Sequence, residues 1–325
     1  EVVIKMVKSL KEEYKIENLC LAGGVALNCV ANGKIIKNKI FKNIWVQPAS
    51  GDAGGSLGAA LAYWYLHIKE KRIVKKKDAM RGSYLGPEFS QREIEERLKK
   101  IGAKYKLLSD KLILDKSAEL IKEGKVIGWF QGRMEFGPRA LGSRSILGDP
   151  RSQKMQKTLN MKVKFRESFR PFAPSILKDD LKDWFELNSD SPYMLLVSNV
   201  NHKIQKKMTI EEEKLFGIEK LNISRSEIPA VTHVDYSARI QTVDGEYNKK
   251  FFDLLKKFKD LTGCPVLINT SFNVRGEPIV NTPEDAFNCF MGTELDALII
   301  GNYCLLKNDQ EGSLKNIYKD KFELD

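Results

Sequence analysis

Two periods of hydrophobicity alternate along the chain. Largely apolar segments at Asn18–Ala22, Ile44–Gln47, Pro174–Leu177, Tyr193–Val200, Ala238–Val243 and Leu298–Leu306 predict strands, and Val126–Phe130 and Val266–Asn269 predict buried ones. Helical spacing fills much of the rest. Val2, Val3, Met6 and Leu10 predict a helix already under way at Glu1, a second follows Gly23-Gly24 to about Lys39, and a third follows Ser56 to near His67. Further on, Ser90 with Glu93 forms a capping box for a helix ending near Gly102, Asp115 caps Lys116–Glu123, and Gln153–Met161 and Tyr247–Thr262 continue the pattern. Thr282 or its neighbour caps Pro283–Met291, with proline in the first turn. Strands alternating with helices predict an α/β fold.

Three stretches escape both periods. Glu70–Phe89 carries a lysine run followed by Gly82, Gly86 and Pro87 and reads as a linker; Asn201–Glu227 is polar and reads as an excursion or lid; the segment after Lys307 is charged. The resulting division is residues 1–75, a linker at 76–89, a second domain at 90–310 and a charged tail at 311–325.

The strongest chemical signal lies after the Val126–Phe130 run, where Gly132, Gly137 and Gly142 interleave with Arg133, Arg139 and Arg144. Glycines let successive backbone N–H groups converge, and guanidinium groups grip phosphate or carboxylate oxygens two at a time. The pattern predicts an oxyanion site. Charge supports it: residues 125–174 hold eleven Lys or Arg against three Asp or Glu, within a chain of net charge +11. Arg170 and one of Lys162 and Lys164 fall in the same basic stretch. At the end of the Val266–Asn269 run, Thr270, Ser271 and Asn273 supply hydroxyls and an amide where an open α/β sheet places its ligands.

The first residues repeat a strand, glycine turn, helix unit. Gly23-Gly24 with Asn28 follows the first strand, and Asp52 with Gly54-Gly55 follows the second; such turns present free N–H groups and a helix N-terminus to a phosphate. An Asp beside phosphate suits a metal that neutralises both, while Asn28 could reach a ribose or base. A plain helix cap at Asp52 is the alternative.

Five cysteines without a C-x-x-C pair exclude a disulfide framework and a zinc knuckle, and point to a reducing cytoplasm. No apolar run reaches the length of a membrane span, so no membrane partner is expected. The three histidines, His67, His202 and His233, stand apart, and His233 lies in H-V-D-Y-S-A-R just before a strand.

Taken together, GGVALN at 23–28, PASGDAGGSLGAA at 48–60, GRMEFGPRALGSRSILGDPR at 132–151, FRPFAPS at 169–175 and NTSFNVRGEPIVNTPEDA at 269–286 resemble the carbamoyltransferase family that includes nodulation and antibiotic O-carbamoyltransferases. The first two segments are similar to the second half of that family's actin-like (ASKHA) nucleotide-binding domain. The others are similar to its C-terminal domain, which resembles threonylcarbamoyl-adenylate synthase. The resemblance implies ATP-dependent activation of carbamoyl phosphate to carbamoyl-adenylate, with Mg²⁺ accompanying ATP, and transfer to a hydroxyl on a small molecule or glycan. It assigns activation to the arginine residues 133, 139, 144 and 170 with the Ser271/Asn273 turn, places His233 by the nucleotide, and makes Asp52 a metal residue. It also implies iron in the actin-like domain, held by an H-x-x-x-H pair that this sequence lacks. The expectation is therefore a chain covering the activation step, with the missing half of the actin-like domain supplied in cis or in trans.

A different class of protein, a nucleotide- or nucleic-acid-binding module without catalysis, would use the same basic face. Such a module needs exposed aromatics as stacking platforms, whereas Trp129, Phe130 and Phe136 fall within or beside a buried run. Nucleic acid is disfavoured.

Overall fold

The computed structural model describes residues 1–74, 77–221, 223–311, 318 and 322. Its strands are β1 (Asn18–Leu21), β2 (Asn43–Val46), β3 (Lys106–Leu107), β4 (Ile127–Phe130), β5 (Arg144–Gly148), β6 (Ala173–Leu177), β7 (Leu196–Asn199), β8 (Ser237–Val243), β9 (Val266–Ser271), β10 (Ala297–Ile300) and β11 (Tyr303–Leu306). β1 and β2 form a small parallel sheet, and the other nine form one mixed sheet in the order β3-β11-β10-β4-β5-β9-β6-β8-β7. The fold is mixed α/β. Strands β4, β5, β6 and β10 are buried along their whole length, as continuous apolar runs require.

Several helices end where capping chemistry ends them. Ser90 and Glu93 form the expected box for Gln91–Lys100, and Thr282 with Asp285 does the same for Pro283–Gly292. Lys249–Thr262 starts on Asn248 and stops at Gly263 in the left-handed conformation. One helix starts earlier than expected: it spans Asp110–Lys122 and is capped by Ser109, while Asp115 faces Lys257 at 2.7 Å. The Leu298–Leu306 run is also two antiparallel strands, because Gly301 at φ 56 turns the chain inside it.

The predicted linker and lid are both more ordered parts of the fold than their composition suggested. Within 77–89, the Asp78 carboxylate accepts from Met80 N and Gly82 N at 2.9 and 2.8 Å, and Ser83 Oγ donates to the Phe136 carbonyl at 2.7 Å. This strap lies against the arginine loop. Within 201–227, the buried Arg225 guanidinium donates to the carbonyls of Lys220, Leu221 and His233, fastening the excursion to the sheet edge. The expected charged tail falls almost wholly outside the described residues.

The elements around the small sheet pack against the large one, and two of the contacts position the site. Asn32, buried on the helix Cys29–Lys37, donates to the carbonyls of Ala26 and Leu195 at 2.8 and 3.1 Å. Gly137, at φ 144, lies so close to Pro48 that a Cβ there would meet the Pro48 oxygen at 2.8 Å. The N-terminus of Cys29–Lys37 is thereby brought beside the tip of the arginine loop.

Candidate functional site

The arginine loop, residues 131–143, joins two antiparallel neighbours, with Phe130 paired to Arg144. Its shape is set by two buried charges. The Glu135 carboxylate accepts from Leu141 N at 2.7 Å and Ser143 N at 2.8 Å, which curls the loop back on itself. Burial pushes this carboxyl above its ordinary value, against the N–H bonds and Arg144. The Arg144 guanidinium lies 3.6 Å from the centre of the Phe130 ring and donates to the carbonyls of Gln131, Gly132, Ser143 and Pro87 at 3.0 to 3.3 Å. It is fully buried, and burial lowers it to about 10.

The three arginines expected to act together are therefore separated. Arg144 points into the fold and holds the base of the loop, because the antiparallel return of β5 turns it inward. Arg133 points to solvent, beside Glu88 at 3.3 Å and the Gly86 carbonyl at 3.2 Å. Only Arg139 reaches the cleft, where its Nη2 is 3.4 Å from the Leu27 carbonyl and its Nε is buried without a partner.

That cleft has a volume of about 460 Å³ and lies between the N-terminus of Cys29–Lys37, the loop tip, and the ends of β6, β8 and β9. Arg139, Arg166, Arg170 and Arg239 line it, with Thr270, Ser271 and His233. Burial lowers Arg166 and Arg239 to about 10, Arg139 is lowered for the same reason, and Arg139 and Arg166 further depress Arg239 by like-charge repulsion. All remain cations at neutral pH. Asp235 is the carboxylate among the lining residues, and its Oδ1 already accepts from Ser237 N and Ser237 Oγ.

A second hollow of about 410 Å³ shares Arg166, Arg170 and Ser271 with the first. At its back sits Lys164, whose Nζ donates to the carbonyl oxygens of Ser271 and Asn273 and to their side-chain oxygens. Burial pushes its ammonium down to about 7. Ser271 Oγ donates to Asn273 Oδ1 at 2.7 Å, and Asn273 Nδ2 to the Glu277 carbonyl at 2.6 Å, so the turn after β9 is rigid. Of the two lysines left open by the sequence, Lys164 is the inner one. Lys162 is exposed and pairs with Glu294 at 2.9 Å.

The glycine turns lie outside this cleft. Gly23 and Gly24 are exposed with open space where a Cβ would stand, and so is Gly55. Gly54 serves packing, since a Cβ would meet the Ala49 oxygen at 2.1 Å. Asn28 Oδ1 accepts from Ala31 N at 3.1 Å and caps the following helix. Asp52 sits at the N-cap of Ala53–Ala62 but makes no side-chain cap bond, so the cap alternative fails on geometry. Among the described residues no three His, Cys, Asp or Glu side chains gather as metal ligands. These residues alone do not fit an iron site. Nor is any described helix long and apolar enough to cross a membrane.

Arg239 closes the H-V-D-Y-S-A-R segment that sequence reasoning had singled out, without a role of its own there, whereas Arg166 was missed; the signal available for it was its spacing from Arg170.

Residues 118–307 match the carbamoyltransferase C-terminus and residues 1–61 the carbamoyltransferase N-terminus. The chain is 56% identical over 328 aligned positions to an uncharacterized protein of Synechocystis sp., covering 100% of this chain and 53% of that protein. It is 40% identical over 310 positions to nodulation protein NolNO of Sinorhizobium fredii, covering 94% of this chain and 42% of that one. Nodulation protein NolO of Bradyrhizobium diazoefficiens is 38% identical over 310 positions, with 94% and 52% covered. The chain thus spans about half the length of these curated relatives. With the C-terminal match covering the arginine loop, the Lys164 segment and the β9 turn, the chain belongs to the carbamoyltransferase family.

Proposed function

We propose that the cleft activates carbamoyl phosphate with ATP, forming carbamoyl-adenylate, pyrophosphate and orthophosphate, for later transfer of the carbamoyl group to a hydroxyl of a small molecule or glycan. One observation carries this reading: three guanidinium groups, Arg139, Arg166 and Arg239, crowd one cleft closely enough for Arg139 and Arg166 to depress Arg239. Such mutual repulsion is relieved by a polyanion. Phosphoryl and adenylyl transfer need little covalent help from a protein and much charge stabilisation at the phosphorus atoms, which this set provides. Carbamate oxygen attacks the α-phosphorus of ATP, the bond to the β-phosphate bridge breaks, and pyrophosphate leaves with its charge facing the arginines. Lys164 and the turn it holds serve the same anions from the adjoining hollow. Mg²⁺ enters with ATP as part of the substrate.

Transfer to the acceptor belongs, on this reading, to a complete actin-like domain, of which this chain holds residues 1–75 and the rest comes in cis or in trans. A hydroxyl-bearing small molecule or glycan is the acceptor class to try first. Incubating the chain with MgATP and carbamoyl phosphate tests activation: pyrophosphate and carbamoyl-adenylate, followed by mass spectrometry, should form only when both substrates are present. A folded chain that yields neither would exclude the activity.

A further inference from the structure

Granting the proposed function, atom balance requires water. Carbamoyl phosphate and ATP together contain one phosphoryl group more than carbamoyl-adenylate and pyrophosphate, so that group passes to water and leaves as orthophosphate. The two steps differ in their need for a base. Carbamate is already an anion when it attacks ATP, whereas the water that attacks carbamoyl phosphate must lose a proton.

We propose that His233 is the general base for that water. Its Nε2 accepts a proton as the water oxygen bonds to the phosphorus of carbamoyl phosphate. The P–O bond to the carbamoyl group breaks, carbamate departs with the bonding pair, and the proton returns to the phosphate product. His233 lines the cleft together with Arg139, Arg166 and Ser271, the place the proposed function gives to both substrates.

The hydrogen bonds fix which nitrogen is free. Ser237 Oγ lies 2.6 Å from Asp235 Oδ1 and 3.2 Å from His233 Nδ1. An ionised carboxylate only accepts, so the hydroxyl proton points to Asp235 and the hydroxyl oxygen accepts from Nδ1–H. Nε2 is left with its lone pair. The backbone is equally fixed: His233 N donates to the Ser237 carbonyl at 2.9 Å, and the His233 carbonyl accepts from Arg225 Nε at 3.2 Å. Burial lowers the imidazole below its ordinary value; Asp235 raises it, and Arg239 and Arg225 lower it. The ring is neutral at pH 7 and able to accept a proton.

Other groups near the phosphates are less suited. Asp235 Oδ1 is occupied twice by Ser237. Lys164 titrates near neutrality, but its Nζ is enclosed by the four oxygens of Ser271 and Asn273, which leaves a water no open approach to it. The arginines only donate.

Ammonium carbamate separates the two steps, because it bypasses the one that needs the base. The wild-type chain should make pyrophosphate from ATP with either carbamoyl phosphate or carbamate. His233→Gln should lose about 100-fold or more of the carbamoyl phosphate reaction, the usual scale for a general base, and keep the carbamate reaction within about threefold. Equal loss with both substrates would make His233 a binding residue, and no loss would make it a bystander; either result overturns the proposal. A wild-type chain inactive with both substrates removes the proposed function, and the base role with it. Should His233→Gln fail to fold, the wild-type pH profile decides: orthophosphate release should fall in acid with an apparent pKa below the ordinary imidazole range, and a flat profile overturns the proposal.

Discussion

Gly33 lies against the backbone of Val197 so tightly that a Cβ on it would meet the Val197 carbonyl oxygen at 2.3 Å. This contact seats the helix Cys29–Lys37 on the edge strand β7 and sets the distance from Cys29 to the cleft. Alanine in a helix interior is ordinarily better than glycine by about 0.5 to 1 kcal/mol. Here the sign should reverse. Gly33→Ala must push helix from strand against backbone, and overpacking of this kind costs about 1 to 3 kcal/mol. Thermal melting should show the loss, and ATP affinity should fall with it because one wall of the cleft moves.

The three loop arginines should respond differently to substitution. Arg139→Ala should weaken ATP and carbamoyl phosphate binding by about 1.5 to 3 kcal/mol, as expected for a charge-assisted hydrogen bond, with little change in stability. Arg133→Ala should alter either by less than about 0.5 kcal/mol, since its contacts with Glu88 and Gly86 are exposed. Arg144→Met should instead destabilise the fold by on the order of 3 kcal/mol, taking the guanidinium from the carbonyls of Gln131 and Gly132, while those of Ser143 and Pro87 keep a backbone N–H, and removing the cation that favours the Glu135 carboxylate. Calorimetric titration and urea unfolding of the three variants would separate these roles, and equal binding losses would refute the placement.

Lys164 should make anion binding depend on pH. A bound polyanion favours the charged ammonium, whose value in the free chain is lowered to about 7 by burial. Below that pH the cation is already present and affinity is full; above it, binding must take up a proton, so affinity falls as pH rises. The arginines stay charged throughout, so they contribute no such slope. Pyrophosphate affinity measured above about pH 7.5 should decline with rising pH, and Lys164→Arg should flatten the decline. A wild-type affinity independent of pH would place Lys164 outside the anion site.

The helix Ala53–Ala62 has no buried residue, and beyond it Trp64 and Leu66 are 48% and 76% exposed. On the first helix, Val2, Met6, Leu10 and Tyr14, spaced four apart, also face solvent. Amide hydrogens there should exchange much faster than those of β4, β5 and β9. Adding the amino-terminal half expected from the family resemblance should slow that exchange, as read by mass spectrometry; unchanged exchange would argue against this surface as its seat.

Long apolar runs made the interior strands legible, because β4 and most of β9 are buried on both faces and tolerate no polar alternation. The hairpin β10–β11 was not, since its turn needs only Gly301 and Asn302 and the residues around them stay apolar. Within the site, Arg139 was legible from its glycine and proline neighbours. Lys162, Lys164 and Arg166 were not separable in sequence, for what distinguishes them is direction. A π-helical turn at Leu159–Val163 shifts the facing of the residues that follow, so that Lys162 meets Glu294 outside and Lys164 meets the β9 turn inside. No pattern of residue types announces such a turn.

Strand β9 has a consequence for how the protein comes into being. It joins β5 on one side to β6 on the other, both antiparallel, and no other pairing links those two parts of the sheet. Yet it is residues 266–271, so during synthesis everything from β3 to β8 leaves the ribosome before its central partner exists. Until then β4–β5 and β6–β8–β7 are two separate ribbons with bare edges. The nascent chain therefore has neither a joined sheet nor a cleft until β9 slots between the waiting ribbons, and β10 and β11, made later still, then complete the side that ends in β3.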